Sequence, residues 1–134
     1  IEDALEAVRS AQQEGVVPGG GLTLYRLSKT IVDDCRNLEM TDEQRFAAEI
    51  FLEVLQSPIK TMAENAGYSY EEVDSVISNE SDNVGFDFLS GTPVDMYNNG
   101  IIDPAKVTKN ALTNAVSAAG TLLTTNFAII EHDE

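Results

Sequence analysis

The chain offers few side chains for chemistry, and its most promising stretch is a loop. Glu14-Gly15-Val16-Val17-Pro18-Gly19-Gly20-Gly21 sets three consecutive glycines between two helical patterns. Glycine gives up more backbone entropy on ordering than alanine, so such a run is kept where the chain turns sharply or approaches something closely. A helix that starts directly after the loop presents unpaired N–H groups, which favour an anion. The loop therefore reads as a backbone contact surface for a phosphate-bearing ligand, or as a plain helix–loop–helix corner, since short glycine motifs also match by chance. Two carboxylates follow. Asp3 lies in the first visible turn of the first helical pattern, where an acid suits the helix dipole. Asp103 precedes Pro104 at the head of the last helical pattern, where it suits an N-cap with proline at the first helical position. Cys35 and His132 are the one cysteine and the one histidine. That excludes a disulfide within the chain and a zinc site of the usual kinds. Cys35 on a helix face reads as a small core residue, and His132 in an acidic tail as a solvated side chain.

The charge balance narrows the partners. A formal net charge of -15 over 134 residues leaves no basic stripe to neutralise phosphates, which argues against DNA, RNA and anionic membrane surfaces. A hydrophobic content of 43% suits one modest globular core rather than disorder. No apolar run approaches the length of a membrane span, and no signal peptide is visible. The chain begins at Ile1 without Met, so it is expected to be a processed product or a piece of something longer.

The elements that must position these residues are mostly helical. Ile1, Ala4, Leu5, Val8 and Ala11 form an apolar stripe that predicts a helix to Gln13. Leu24, Leu27, Ile31 and Cys35 share a face of a second helix over Leu22–Cys35. Thr41-Asp42-Glu43-Gln44 is a capping box that opens a third, with Phe46, Ile50, Phe51, Val54 and Leu55 as its buried face. Ser57-Pro58 is expected to break that helix and start another, which ends at Gly67. Ser69-Tyr70-Glu71-Glu72 is a second capping box, for a short helix with Val73, Val76 and Ile77 inward. Gly85 to Leu89 alternates like a strand, and Val94 to Tyr97 is expected to make one helical turn at most. Pro104 to Thr124 is the longest predicted helix, and its alanines with Gly120 allow close helix approach. Phe127-Ala128-Ile129-Ile130 is expected to be a terminal strand without a partner in the chain.

Three stretches, in order and spacing, carry a resemblance. They are Glu2-Asp3-Ala4-Leu5 with the glycine loop, then Gly85-Phe86-Asp87, then Gly100-Ile101-Ile102-Asp103-Pro104-Ala105-Lys106-Val107. Together with the final Ala-rich helix they resemble the C-terminal quarter of group I chaperonin, the double-ring ATP-driven folding machine, over essentially the whole chain. The resemblance implies a mostly α fold with a few short strands. Residues 1–13 would end the intermediate domain, and 14–134 would form the C-terminal half of the equatorial, ATP-binding domain. It implies that Asp3 is the catalytic acid that activates the attacking water. Gly20 would touch the nucleotide through its backbone, Asp103 would meet the ribose, and Asp87, Phe88 and Leu89 would line the adenine slot. The terminal strand would pair with a hairpin of a neighbouring subunit or of the same longer chain.

The sequence also departs from the family. Phe88 stands where the family usually has a small residue beside the base. No Walker-type phosphate loop is present, and the family's phosphate loop, magnesium-binding Asp and client-binding apical domain have no counterpart here. As a separate chain it is therefore expected not to hydrolyse ATP, and its fold to need no cofactor. ATP and Mg²⁺ belong to the full-length parent, which would form a ring of identical subunits. Unfolded clients and a co-chaperonin lid would bind through other parts. A cytoplasmic location, or an organelle matrix after removal of a targeting segment, fits this reading. Without the resemblance, the residues fit a non-enzymatic helical assembly module.

Overall fold

The computed structural model describes residues 1–132, with side chains described through Thr121 and at Thr124. In chain order the elements are α1 (Glu2–Glu14), β1 (Val16–Pro18), α2 (Leu22–Cys35), α3 (Asp42–Asn65), α4 (Tyr70–Ile77), β2 (Val84–Asp87), β3 (Thr92–Asp95), β4 (Ile102–Pro104) and α5 (Ala105–His132). Two antiparallel pairs, β1 with β4 and β2 with β3, hold the strands. Both predicted capping boxes form. Thr41 Oγ1 accepts from Gln44 N at 3.2 Å while Gln44 Oε1 accepts from Thr41 N at 3.1 Å. Ser69 and Glu72 repeat the exchange at 3.2 and 2.7 Å.

Proline does not break α3. The helix runs through Pro58, although an interior proline costs about 3 kcal/mol. Leu55, Ile59 and Ala63 lie one turn apart across it and are all almost fully buried. Burying the Leu and Ile side chains alone is worth about 3–6 kcal/mol, so tertiary packing outweighs the local penalty. Phe46, expected in the buried face, remains exposed near the start of α3, where Phe51 and Val54 take up the packing.

Two apolar clusters share the interior. Leu22, Tyr25, Ile59, Ala63, Val73, Ile77, Phe86 and Met96 join α2, α3, α4 and the β2–β3 hairpin. Leu24, Leu55 and Ala115, with Leu27, Phe51 and Ala111 around them, join α2 and α3 to α5. The close approach of α5 comes from its alanines, because nothing lies within 4 Å of where a Gly120 Cβ would stand. Helix α1 packs through its C-terminal end. Lys109 Nζ lies 3.2 Å from Glu14 Oε2, and Ala105 N donates to Gly15 O at 2.9 Å. The Ile1, Leu5 and Val8 stripe faces solvent.

Three local expectations give way to long-range pairing or its absence. Thr92–Asp95 is a strand against β2, with Gly85 opposite Val94. The helical turn expected at Val94–Tyr97 is displaced toward the C-terminus, where Asn99 N donates to Asp95 O at 3.1 Å. Asp103 and Pro104 do not cap α5. They pair with Val17 and Val16 in the β1–β4 ladder, and the helix starts at Ala105. Phe127-Ala128-Ile129-Ile130 lies within α5 rather than in a strand. An unpaired strand leaves its backbone groups unsatisfied, whereas a helix satisfies them within the segment.

Candidate functional site

The glycine loop is held from three sides. Gly19 N donates to Ile101 O at 2.8 Å, and a Cβ on Gly19 would lie 3.2 Å from the backbone of Ile101 and Ile102. A Cβ on Gly20 would lie 2.8 Å from Met96 Cε, and one on Gly21 2.9 Å from Ile59 N. The close approach read from the sequence is thus an approach to β4, to Met96 and to the backbone of α3. Gly21, in the left-handed region, stands at the N-cap of α2, and no side chain caps the helix. Gly20 and Gly21 give their N–H groups to no acceptor among the described residues.

Asp103 stands beside this loop, opposite Val17 in the β1–β4 register. Its carboxylate makes no hydrogen bond or ion pair with the described residues, and loss of hydration raises its pKa above the ordinary value of 3.8. It borders a pocket of about 140 Å³ whose walls include Gly21, Thr23, Pro58, Met62 and Val107. Thr23 Oγ1 is committed to Pro18 O at 2.9 Å. The residue itself stays exposed at the rim of that pocket, where its free carboxylate can accept from a ligand that brings hydroxyl donors.

The β2–β3 hairpin meets the loop from the other side. A Gly20 Cβ would stand 3.9 Å from Phe86 O and 3.8 Å from Ile101 Cγ2. The loop therefore lies between the residue before Asp87 and the segment leading to Asp103. Asp87 is not free. Its carboxylate accepts from Leu89 N at 3.0 Å and from Ser90 Oγ at 2.9 Å. These bonds, the Leu89 N–H foremost, hold it below the usual carboxylate range. Phe88 packs on Phe86, with ring centroids 5.1 Å apart, and Leu89 is fully exposed at the tip.

Comparison with known proteins decides the family. A profile of the TCP-1/cpn60 chaperonin family matches residues 1–133. The chain belongs to that chaperonin family. It is similar to a group III chaperonin in the open state, at 32% identity with a TM-score of 0.73 over 86% of this chain. It is also similar to the open-state monomer of a group II chaperonin from Methanococcoides burtonii, at 28% identity with a TM-score of 0.74 over 91% of this chain. The chain covers 24% and 31% of those two chains. The match is thus to the chaperonin family as a whole, and the two structures come from groups other than the group I suggested by the sequence.

Within this chaperonin chain the expected site residues gather unevenly. Gly20, Asp87 and Asp103 lie on elements that converge on one loop, and Phe88 and Leu89 sit farther out on the hairpin. Asp3 is solvent-exposed, in a groove formed by its own helix neighbours Glu2, Leu5, Glu6 and Arg9. It is ten residues from Gln13, near the anchored end of α1, so about 15 Å away along the axis. No described contact joins it to Gly20 or Asp103.

Several residues that shape the site escaped the sequence reading. Met96 is fully buried, and its side chain backs both Gly20 and Gly85. Arg26 Nη2 lies 2.9, 3.1 and 2.8 Å from the carbonyls of Ile77, Ser81 and Val84, which ties the α4–β2 turn to α2. Asp74 accepts from Tyr25 Oη and pairs with Lys29 Nζ at 2.7 Å. Burial alone would raise the Asp74 carboxyl, but the bonds from Lys29 and Tyr25 outweigh it and hold the group below its usual range. The one signal in the sequence was weak: Arg26 and Lys29 are two of only eight basic residues.

Proposed function

We propose that this chain supplies the adenosine side of the nucleotide site in an ATP-driven chaperonin, a ring of identical subunits that assists protein folding. The observation that carries the reading is Asp103: a carboxylate with no partner among the described residues, on the wall of a pocket beside a glycine loop whose N–H groups are open. A vicinal diol offers two hydroxyl donors to one carboxylate, which suits the ribose of a nucleotide. The open N–H groups at Gly20 and Gly21, with the N-terminus of α2 behind them, suit a phosphate. ATP with Mg²⁺ supplies the phosphoryl group whose transfer to water would drive the cycle. In this reading Gly20 contacts the nucleotide by its backbone, and the hairpin tip at Asp87, Phe88 and Leu89 flanks the base. Asp3 orients the attacking water once α1 moves onto the nucleotide, with residues 1–13 as the end of the intermediate domain and 14–134 as equatorial. Phosphate and metal ligands would come from parts of the longer protein outside these 134 residues.

The test uses the full-length protein. Asp3→Ala is expected to slow ATP turnover more than tenfold while ADP affinity stays within threefold, in an assembly whose native mass is that of a closed ring. Turnover unchanged by Asp3→Ala would remove the catalytic assignment. Absence of both ATP turnover and ring mass in the unsubstituted protein would remove the chaperonin mechanism.

A further inference from the structure

Phe88 directly follows β2 on the hairpin, and the structure contains a device that seats it. Helix α3 ends in a motif that fixes the next residue rigidly. Gly67 has φ +87°, Gly67 N donates to Glu64 O at 3.1 Å, and Tyr68 N donates to Ala63 O at 2.8 Å. These are the paired bonds of a Schellman motif. They leave little freedom in the direction Tyr68 takes on leaving the helix.

The Tyr68 ring then crosses to the β2–β3 hairpin. It meets Phe86 edge-on at 5.1 Å and 70°, and lies 6.5 Å from Phe88. Phe86 and Phe88 are themselves 5.1 Å apart. The hydroxyl end reaches the hairpin turn, where a Cβ on Gly91 would stand 2.5 Å from Tyr68 Oη. Gly91 also has φ +71°. A side chain at 91 would meet the tyrosine hydroxyl, so either the turn or the ring must shift.

The tip itself is stiff. The Asp87 carboxylate holds Leu89 N and Ser90 Oγ, Gly91 N donates to Asp87 O at 2.8 Å, and the Ser90 and Thr92 hydroxyls are 2.8 Å apart. A stiff tip docked against one rigid ring takes its orientation from that ring. We propose that Tyr68 is the positioning residue for the base-contacting tip: it seats Phe88 and sets where Phe88 and Leu89 stand relative to the glycine loop. The inference rests on the nucleotide reading and deepens it. Tyr68 acts through the hairpin, by its contacts to Phe86, Phe88 and the Gly91 turn.

The experiment compares a ligand with a base and one without, on the full-length protein. Tyr68→Ala is expected to weaken ADP binding at least tenfold and to leave inorganic tripolyphosphate binding within twofold. Tyr68→Phe keeps the ring and is expected to bind ADP within twofold of the unsubstituted protein. Gly91→Ala is expected to weaken ADP binding, and adding Tyr68→Phe in that background should recover part of the loss by removing the clashing hydroxyl. Equal losses of ADP and tripolyphosphate binding in Tyr68→Ala would show a general structural role and overturn the proposal. So would ADP binding unchanged by Tyr68→Ala, or no recovery in the double variant if Tyr68→Ala does not fold. If the unsubstituted protein binds tripolyphosphate and ADP equally, no base site exists and the proposal falls. If it binds neither, the nucleotide reading itself falls.

Discussion

Gly21 gives the sharpest test of how the glycine loop is built. Its backbone is left-handed at φ 75° and ψ 4°, a conformation that costs an L-residue about 1–2 kcal/mol. Substitution by alanine would also place a Cβ 2.9 Å from Ile59 N and 3.1 Å from Ile59 Cα. Those are backbone atoms of α3, pinned because Leu55, Ile59 and Ala63 are almost fully buried. Forcing a methyl group into such a place costs about 1–3 kcal/mol. Gly21→Ala is therefore expected to destabilise the chain by about 2–5 kcal/mol. Gly100 provides the control. Its φ is 69°, and nothing lies within 4 Å of its Cβ position, so Gly100→Ala is expected to cost only the conformational part, about 1–2 kcal/mol. Urea unfolding of both variants, with unchanged m-values, gives the difference directly. A Gly21→Ala cost no greater than that of Gly100→Ala would refute close packing as the reason for the third glycine.

Other substitutions probe the contacts around the site. Arg26→Met removes a cation shared by three carbonyls and is expected to cost about 2–4 kcal/mol in urea unfolding, since hydrogen bonds to charged groups are the stronger ones. Asp74→Asn breaks a half-exposed ion pair and weakens the partner of a buried Tyr25 hydroxyl, at about 1–2 kcal/mol. Because the folded protein lowers the Asp74 pKa, its contribution is full above the ordinary value of 3.8 and is lost as pH falls through the depressed value; the gap between wild type and variant should shrink over that range. Asp103 works in the opposite direction. Its pKa is raised from 3.8 by burial, so the penalty for its charge grows as pH rises above that value. Asp103→Asn is expected to stabilise the fold at neutral pH and to lose that advantage in acid, as followed by thermal unfolding.

What was legible in the sequence was local. Thr41 with Gln44 and Ser69 with Glu72 lie three residues apart, so their reciprocal bonds need nothing from the rest of the chain. The bounds of α2 follow from Gly21 before it and a polar stretch after it. The readings that gave way depended on distant partners. Pro58 is carried by burial against α2 and the hairpin, Val94 by pairing with Gly85, and Asp103 by pairing with Val17. The glycine loop was visible as a site of close approach. Its neighbours Ile59, Met96 and Ile101 lie about 40 to 80 residues away, and no spacing rule points to them. Asp103 likewise carried a capping pattern that masked its position in a strand beside the loop. Tyr68 read as nothing more than the residue after a helix stop.

The measurement that bears most directly on the account is ADP affinity in the full-length protein with Asp103→Asn. Two hydrogen bonds to a carboxylate are each worth about 1.5–3 kcal/mol, and every 1.4 kcal/mol is tenfold in affinity. The account predicts at least a tenfold loss of affinity with thermal stability held or raised. Unaltered affinity, with stability raised all the same, would contradict it: Asp103 would then be an unpaired acid beside the loop with no nucleotide to meet.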